Sequence, residues 1–173
     1  SGLYHWSLST VRAHSPETAW LSSVPATTSD QKLVSPVFSL PTAEEPLSLS
    51  FWHRWTFDSA SVCNDGGVLE ISTNNGETWV QVPASNLLTN PYTGTVRTGV
   101  YNPIASRQAW CGVSDWTWTV VDLAAYAGEN VTFRFRMGSG NAGAAEGWYL
   151  DDLRVQSCIQ PAPQQLFLPM LMK

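Results

Sequence analysis

From Pro46 to Phe57 the chain alternates without a break. Leu47, Leu49, Phe51, His53, Trp55 and Phe57 interleave with Ser48, Ser50, Trp52, Arg54 and Thr56. Successive side chains of a strand point to opposite faces, so the first set makes one apolar face and the second a mostly polar one. A strand of this kind needs a second layer to cover its apolar face. The stretch therefore commits the chain to a sheet packed against something else.

The neighbouring segments repeat the signal. Gly67 to Thr73 and Thr78 to Val82 flank Asn74-Asn75-Gly76, and Asn-Gly between β-type runs marks a hairpin because both residues tolerate positive φ. Trp116–Leu123 and Asn130–Met137 read as further strands; in the second, Val131, Phe133, Phe135 and Met137 alternate with Thr132, Arg134 and Arg136. Lys32 to Leu40 reads as an edge strand, since Pro36 cannot donate to a ladder. Residues 1–31 hold one or two short strands and loops. Residues 83–115 have little regular pattern, and a loop of that length in a compact domain is either functional or clamped. No segment has a helical period. The expected fold is all-β: a two-sheet jelly-roll sandwich of mostly antiparallel strands over residues 1–158. A Pro-rich spacer follows at 159–165, and an apolar strand at 166–173.

Gly147 to Val155 is the last strong strand. Counting apolar residues puts Tyr149, Leu153 and Val155 on the buried face, with Trp148, Leu150, Asp152 and Arg154 on the other. Asp151 then points inward, where a carboxylate needs hydrogen bonds or a metal.

Composition narrows the function. The net charge is -5 and the pI about 5.0, with no basic cluster, so nucleic acid is excluded as a partner. No run of 18 apolar residues is long enough to span a membrane as a helix. Nine Trp on a chain rich in Ser, Thr and Asn suggest a secreted protein. Three cysteines, none in a C-x-x-C pair, argue against zinc and thioredoxin-type chemistry. Cys63 precedes the Asp65-Gly66-Gly67 turn and Cys111 lies in the irregular stretch. A Cys63–Cys111 bond that clamps this stretch is expected, leaving Cys158 as a free thiol.

There is no H-E-x-x-H and no nucleophile elbow, and the three histidines are isolated, so no catalysis is expected. His53, on the apolar face of its strand, reads as a hydrogen-bonded core residue. Trp52, Trp110, Trp116, Trp118 and Trp148 are candidate stacking residues for a glycan, with Trp110, Trp116 and Trp118 the preferred set; the alternative is that they fill the core. Asn130-Val131-Thr132 is an N-glycosylation sequon at Asn130. Asp30, Asp58, Asp65, Glu70, Asp151 and Asp152 offer hard oxygen ligands but no EF-hand loop.

Three stretches share an order and spacing. They are Ser50-Phe51-Trp52-His53-Arg54 leading to Asp65-Gly66-Gly67-Val68-Leu69-Glu70-Ile71-Ser72-Thr73; Asn102-Pro103-Ile104 with Arg107-Gln108-Ala109-Trp110; and Phe135-Arg136-Met137-Gly138 leading to Glu146-Gly147-Trp148-Tyr149-Leu150-Asp151-Asp152. Together, over roughly residues 33 to 156, they resemble the MAM-like jelly-roll domains appended to secreted bacterial proteins, among them immune-inhibitor-A-type metalloproteases and large surface proteins. The resemblance implies an extracellular or cell-surface accessory module with no catalysis of its own, often stabilised by calcium. Asp65, Asp151 and Asp152 are the ligands expected here. Cys111 departs from the pattern, which has a small residue at that place. Ser72 to Trp79 also resembles an Asp-box hairpin with Asn74 in the Asp place; it occurs once and reads as a structural turn.

The tail lies beyond the pattern. Leu166, Phe167, Leu168, Met170 and Leu171 make both faces of the last segment apolar, which suits a strand buried on two sides. One expectation is a structural or adhesive subunit that assembles head-to-tail by donating this strand to a neighbour. The alternative is a calcium-dependent module of a secreted hydrolase that binds a cell-surface glycan or a protein.

Overall fold

The computed structural model describes residues 5–42, 46–57, 62–141 and 143–157. The spacer at 159–165, the strand at 166–173 and Cys158 lie outside the described residues.

Among the described residues twelve strands form two packed antiparallel sheets and a small hairpin. They are β1 (Ser7–Ser9), β2 (Ala19–Val24), β3 (Ser29–Val34), β4 (Phe38–Ser39), β5 (Leu47–Thr56) and β6 (Gly66–Ser72), then β7 (Val80–Gln81), β8 (Gly94–Thr95), β9 (Gln108–Ala109), β10 (Val113–Asp122), β11 (Asn130–Ser139) and β12 (Ala145–Ser157). The first sheet has the order β1-β2-β12-β5-β10, and the second β3-β11-β6-β7 with β4 also on β11. From β2 onward the longer strands pass alternately from one sheet to the other, as a jelly-roll sandwich requires.

The alternating stretch behaves as its pattern demands. Leu47, Leu49, Phe51, His53, Trp55 and Phe57 are all buried between the sheets. Phe133, Phe135 and Met137 of β11, Leu69 and Ile71 of β6, and Trp110 and Trp148 meet them there. The rings pack edge-on: Phe51 lies 5.0 Å from Phe135 and 5.9 Å from Trp110, both near perpendicular. Gly67 makes room for this, because a Cβ there would sit 2.4 Å from the Trp148 ring. His53 is enclosed by these aromatics. It accepts a hydrogen bond from Trp148 Nε1 (3.2 Å) on Nδ1, which leaves the Nε2 proton to donate to Thr119 Oγ1 (2.9 Å). Burial holds its pKa at about 3, so it is a neutral core residue.

The hairpin forms between β6 and β7, with Asn75 and Gly76 both at positive φ. Asn74 holds the turn by accepting from Thr78 N (2.9 Å), as the single Asp-box-like copy suggested. Pro36 does more than mark an edge: the expected Lys32–Leu40 strand is split at it into β3 and β4.

The irregular stretch is clamped. Cys63 and Cys111 are bonded across 48 residues, a closure worth about 4 kcal/mol in the chain-entropy model. Asn102 donates to Asn64 O (2.7 Å) and Gly138 O (2.8 Å) and accepts from Ile104 N (2.9 Å). Val96, Ile104 and Ala109 thereby cover Val68, which explains why β6 is buried on both faces.

β12 corrects the face assignment made from its sequence. Trp148 and Leu150 point into the sandwich, and Tyr149 points outward against Arg54 and Trp116. A bulge between Asp151 and Arg154, with Asp152 at φ 51, then resets the phase, so that Val155 packs on the core. Counting apolar residues across the bulge mixed its two halves. Asp151 therefore does not face the core.

Candidate functional site

The outer face of the first sheet carries a concavity of about 310 Å³, lined by His14, Ser50, Trp52, Trp118, Asp152, Arg154 and Gln156. Ladder register explains the set. Trp118 of β10 sits opposite Trp52 of β5, and on the other side of β5 Arg154 sits opposite Ser50 and Gln156 opposite Ser48. Since β5 gives its odd residues to the core, its even residues face outward with these partners. Trp118 is 45% exposed, more than any other described Trp.

The N-terminal segment closes one end. The His14 ring stacks on Trp52 at 3.9 Å and 12°, and meets Trp116 edge-on at 5.7 Å. Its Nδ1 lies 2.8 Å from Asp152 Oδ2. Asp151 anchors this arm: its Oδ2 accepts from His14 N (2.8 Å) and Ser15 N (3.0 Å), and its Oδ1 from Asp152 N (2.8 Å). The arm is tied again where Arg12 pairs with Glu146, which also takes Arg54 Nη1 at 3.1 Å and the Tyr149 hydroxyl at 3.2 Å. Burial would raise the Glu146 pKa, but Arg12 and Arg54 outweigh it and hold it below the usual range.

Chemically, the site offers an exposed indole face with both signs of charge and hydroxyl and amide groups beside it. Flat apolar rings stack on such an indole while their hydroxyls reach the polar rim.

Of the three preferred tryptophans, Trp116 and Trp118 lie on this face. Trp110 does not: it is fully buried among Phe51, Tyr92 and Trp148, with its Nε1 donating to Asn90 O at 3.0 Å, so it cannot stack on a ligand. Trp148 is a core residue for the same reason. The expected metal set is likewise divided. Asp65 lies beside the second sheet and accepts from Gly140 N (2.6 Å), whereas Asp151 and Asp152 hold the N-terminal arm at the first. Among the described residues no three of His, Cys, Asp and Glu converge, and both Asp151 oxygens accept from N–H donors. Asn130 is exposed at the start of β11, where it accepts from Ser39 Oγ (2.6 Å).

His14, Arg154, Gln156 and Ser50 were not singled out from the sequence. The phase of β5 could have nominated Ser50, because it shares a face with Trp52. Nothing in the sequence announces that His14 returns to that face.

The outer face of the second sheet is of another kind. Glu70 of β6, almost fully buried, takes Arg134 Nε (2.5 Å), Arg107 (2.8 Å) and Arg136 (3.5 Å). Arg136 also forks onto Asp30 (2.7 and 3.0 Å), which Lys32 reaches at 2.9 Å. Arg134 lies over the Trp79 ring at 4.2 Å.

No family model matches the chain. Bacillopeptidase F of Bacillus subtilis (strain 168) is 45% identical over 40 residues, which is 23% of this chain and 3% of that protein. Among solved structures, the K1 and K3 cleaved adhesin domains of Lys-gingipain from Porphyromonas gingivalis superpose with a TM-score of 0.51 each, at 16% and 17% identity, covering 90% and 89% of this chain and 85% of each domain. The glycoside hydrolase domain of Endo-D from Streptococcus pneumoniae R6 superposes with a TM-score of 0.53 at 13% identity, over 90% of this chain and 20% of that one. These likenesses show a shared fold. No helix among the described residues is long and apolar enough to cross a membrane.

Proposed function

We propose that this chain is a non-catalytic binding module of an extracellular bacterial protein, and that it holds a glycan against Trp118 on the outer face of the first sheet. The exposed Trp118 ring beside half-buried Trp52 carries the reading, with Ser50, Asp152, Arg154 and Gln156 at its rim. An unengaged indole beside hydrogen-bonding groups is what a sugar ring needs, and it has no role in the core. Among the described residues one carboxylate, Asp152, lines the concavity, whereas glycoside hydrolysis uses two across the scissile bond; this supports binding without turnover. Similarity to cleaved adhesin domains, to a glycoside hydrolase domain and, over 40 residues, to Bacillopeptidase F supports an accessory role outside the cell.

The test is a glycan array followed by titration with the best-binding oligosaccharide. Trp118→Ala should weaken binding at least tenfold, about 1.4 kcal/mol, with an unchanged fold. No glycan hits, or full affinity in Trp118→Ala, would reject the proposal. Repeating the titration in chelator tests the calcium requirement implied by the MAM-like resemblance.

A further inference from the structure

Next to the candidate site, with which it shares Asp152 and Arg154, the seam between the sheets is open along one side. A groove of about 400 Å³ runs there, walled by Trp20, Leu33, Phe38, Phe135, Leu150 and Val155 among others, and its lining is mainly apolar. Ladder register shows that these are core-facing positions. Trp20 sits opposite Leu150, and Leu33 opposite Phe135; both partners point into the sandwich. Yet Trp20 is 38% exposed. A core-facing indole left open to water marks a place where the sandwich lacks a layer.

The sheet edge tells the same story. β2 pairs with β12 only as far as Leu150, because it begins at Ala19. Beyond the bulge, Arg154 to Ser157 pair with β5 on one side, and among the described residues no strand pairs with their other side. An open edge and an apolar groove therefore lie together, at the end of the described chain.

We propose that the groove is filled in cis by this chain's own segment Leu166–Leu171, added as a strand along the free edge of β12. The residues from 158 to 165 connect the two, and eight residues are ample for a return across one interstrand spacing of about 5 Å. The segment spans about 20 Å as a strand, enough to run beside Leu153–Ser157 and reach the Trp20 end. Either Leu166, Leu168 and Met170 or Phe167 and Leu171 then enter the seam. Pro169 suits an outermost strand, because its missing N–H costs nothing on the side facing water. It also blocks further strand addition, which favours a closed monomer over a fibre. The short tether gives the chain's own segment a millimolar effective concentration that a neighbour's segment must match.

The test places Cys at Leu33 and, one at a time, at positions 166, 167, 168, 170 and 171, in the full chain with Cys158→Ser. Isotope-labelled and unlabelled protein are mixed before oxidation, and linked peptides are mapped by mass spectrometry. At least one pair should link within a single chain, in a monomer. Deleting 166–173 should raise binding of an apolar dye severalfold and lower the melting midpoint by about 5 °C or more, and the peptide 164–173 added back should reverse both. Links between labelled and unlabelled chains would make a second copy the occupant and overturn the proposal. So would absence of links together with unchanged melting and dye binding in the deletion. Strong dye binding by the intact chain would point to a foreign apolar ligand and overturn it as well.

Discussion

The two outer faces of the sandwich use the same residue types to opposite ends. On the second sheet, Arg107, Arg134 and Arg136 spend their charge on Glu70 and Asp30, and Trp79 spends its face on Arg134. That network fastens the 94–109 loop over β6. On the first sheet, Trp118 and Arg154 border an open concavity, and Trp52 is stacked by a histidine from the N-terminal arm rather than by a strand partner. A satisfied network stabilises; a partly unsatisfied one is available to a ligand. On the proposed reading, binding belongs to the first face and rigidity to the second.

The largest effect is expected on the second face. Glu70→Ala leaves three arginines facing one another at a mostly buried position and should cost about 3 kcal/mol in denaturant melts, with little change in glycan affinity. A loss of affinity as large as the loss of stability would break the division between the faces.

Acid should probe the core between them. Folded His53 has its pKa near 3 and the unfolded imidazole near 6.5, so below 6.5 the unfolded state binds the extra proton. Stability is then full above pH 6.5 and falls by about 1.4 kcal/mol per unit as pH drops toward 3. Glu70 adds to the loss only at lower pH. Burial raises its pKa, but Arg134 and Arg107 more than compensate, so its stabilisation is present above the ordinary 4.5 and fades below it. Melts at pH 6.5 and 5.0 should show the His53 slope, and His53→Gln should flatten it.

On the first face, Asp151→Ala should cost about 1.5 kcal/mol by freeing the amides of His14 and Ser15. It should also weaken glycan binding, because His14 loses its anchor over Trp52. Trp118→Ala should change stability least, by about 1 kcal/mol or less, since the residue is 45% exposed. The two variants together separate the frame of the site from its contact surface.

The sandwich was legible because its signal is local. The period of Leu47 to Phe57 survives into the structure residue for residue, and Asn74-Asn75-Gly76 turns where Asn-Gly should. The clamp from Cys63 to Cys111 was legible too, since one loop lacked any other means of order. β12 was not, because a bulge at Asp152 changes the phase of a strand without changing its composition. Half of the site shared that fate. Trp116 and Trp118 were named, but Trp110 was named with them. Only the phase of Thr119, Val121 and Leu123, all buried, sets Trp118 outside, while Trp110 lies in an irregular segment with no phase to read. The fit of His14 to Trp52 depends on a contact between residues 38 positions apart in the chain, one supplied by Asp151 from farther still.

The most direct measurement of the division between the faces follows the indole N–H signals of all nine tryptophans by NMR during titration with the array's best-binding oligosaccharide. The account predicts that Trp118 and Trp52 shift in a saturable way while Trp79, on the second face, stays in place. Saturable shifts at Trp79 with Trp118 and Trp52 unmoved would contradict it.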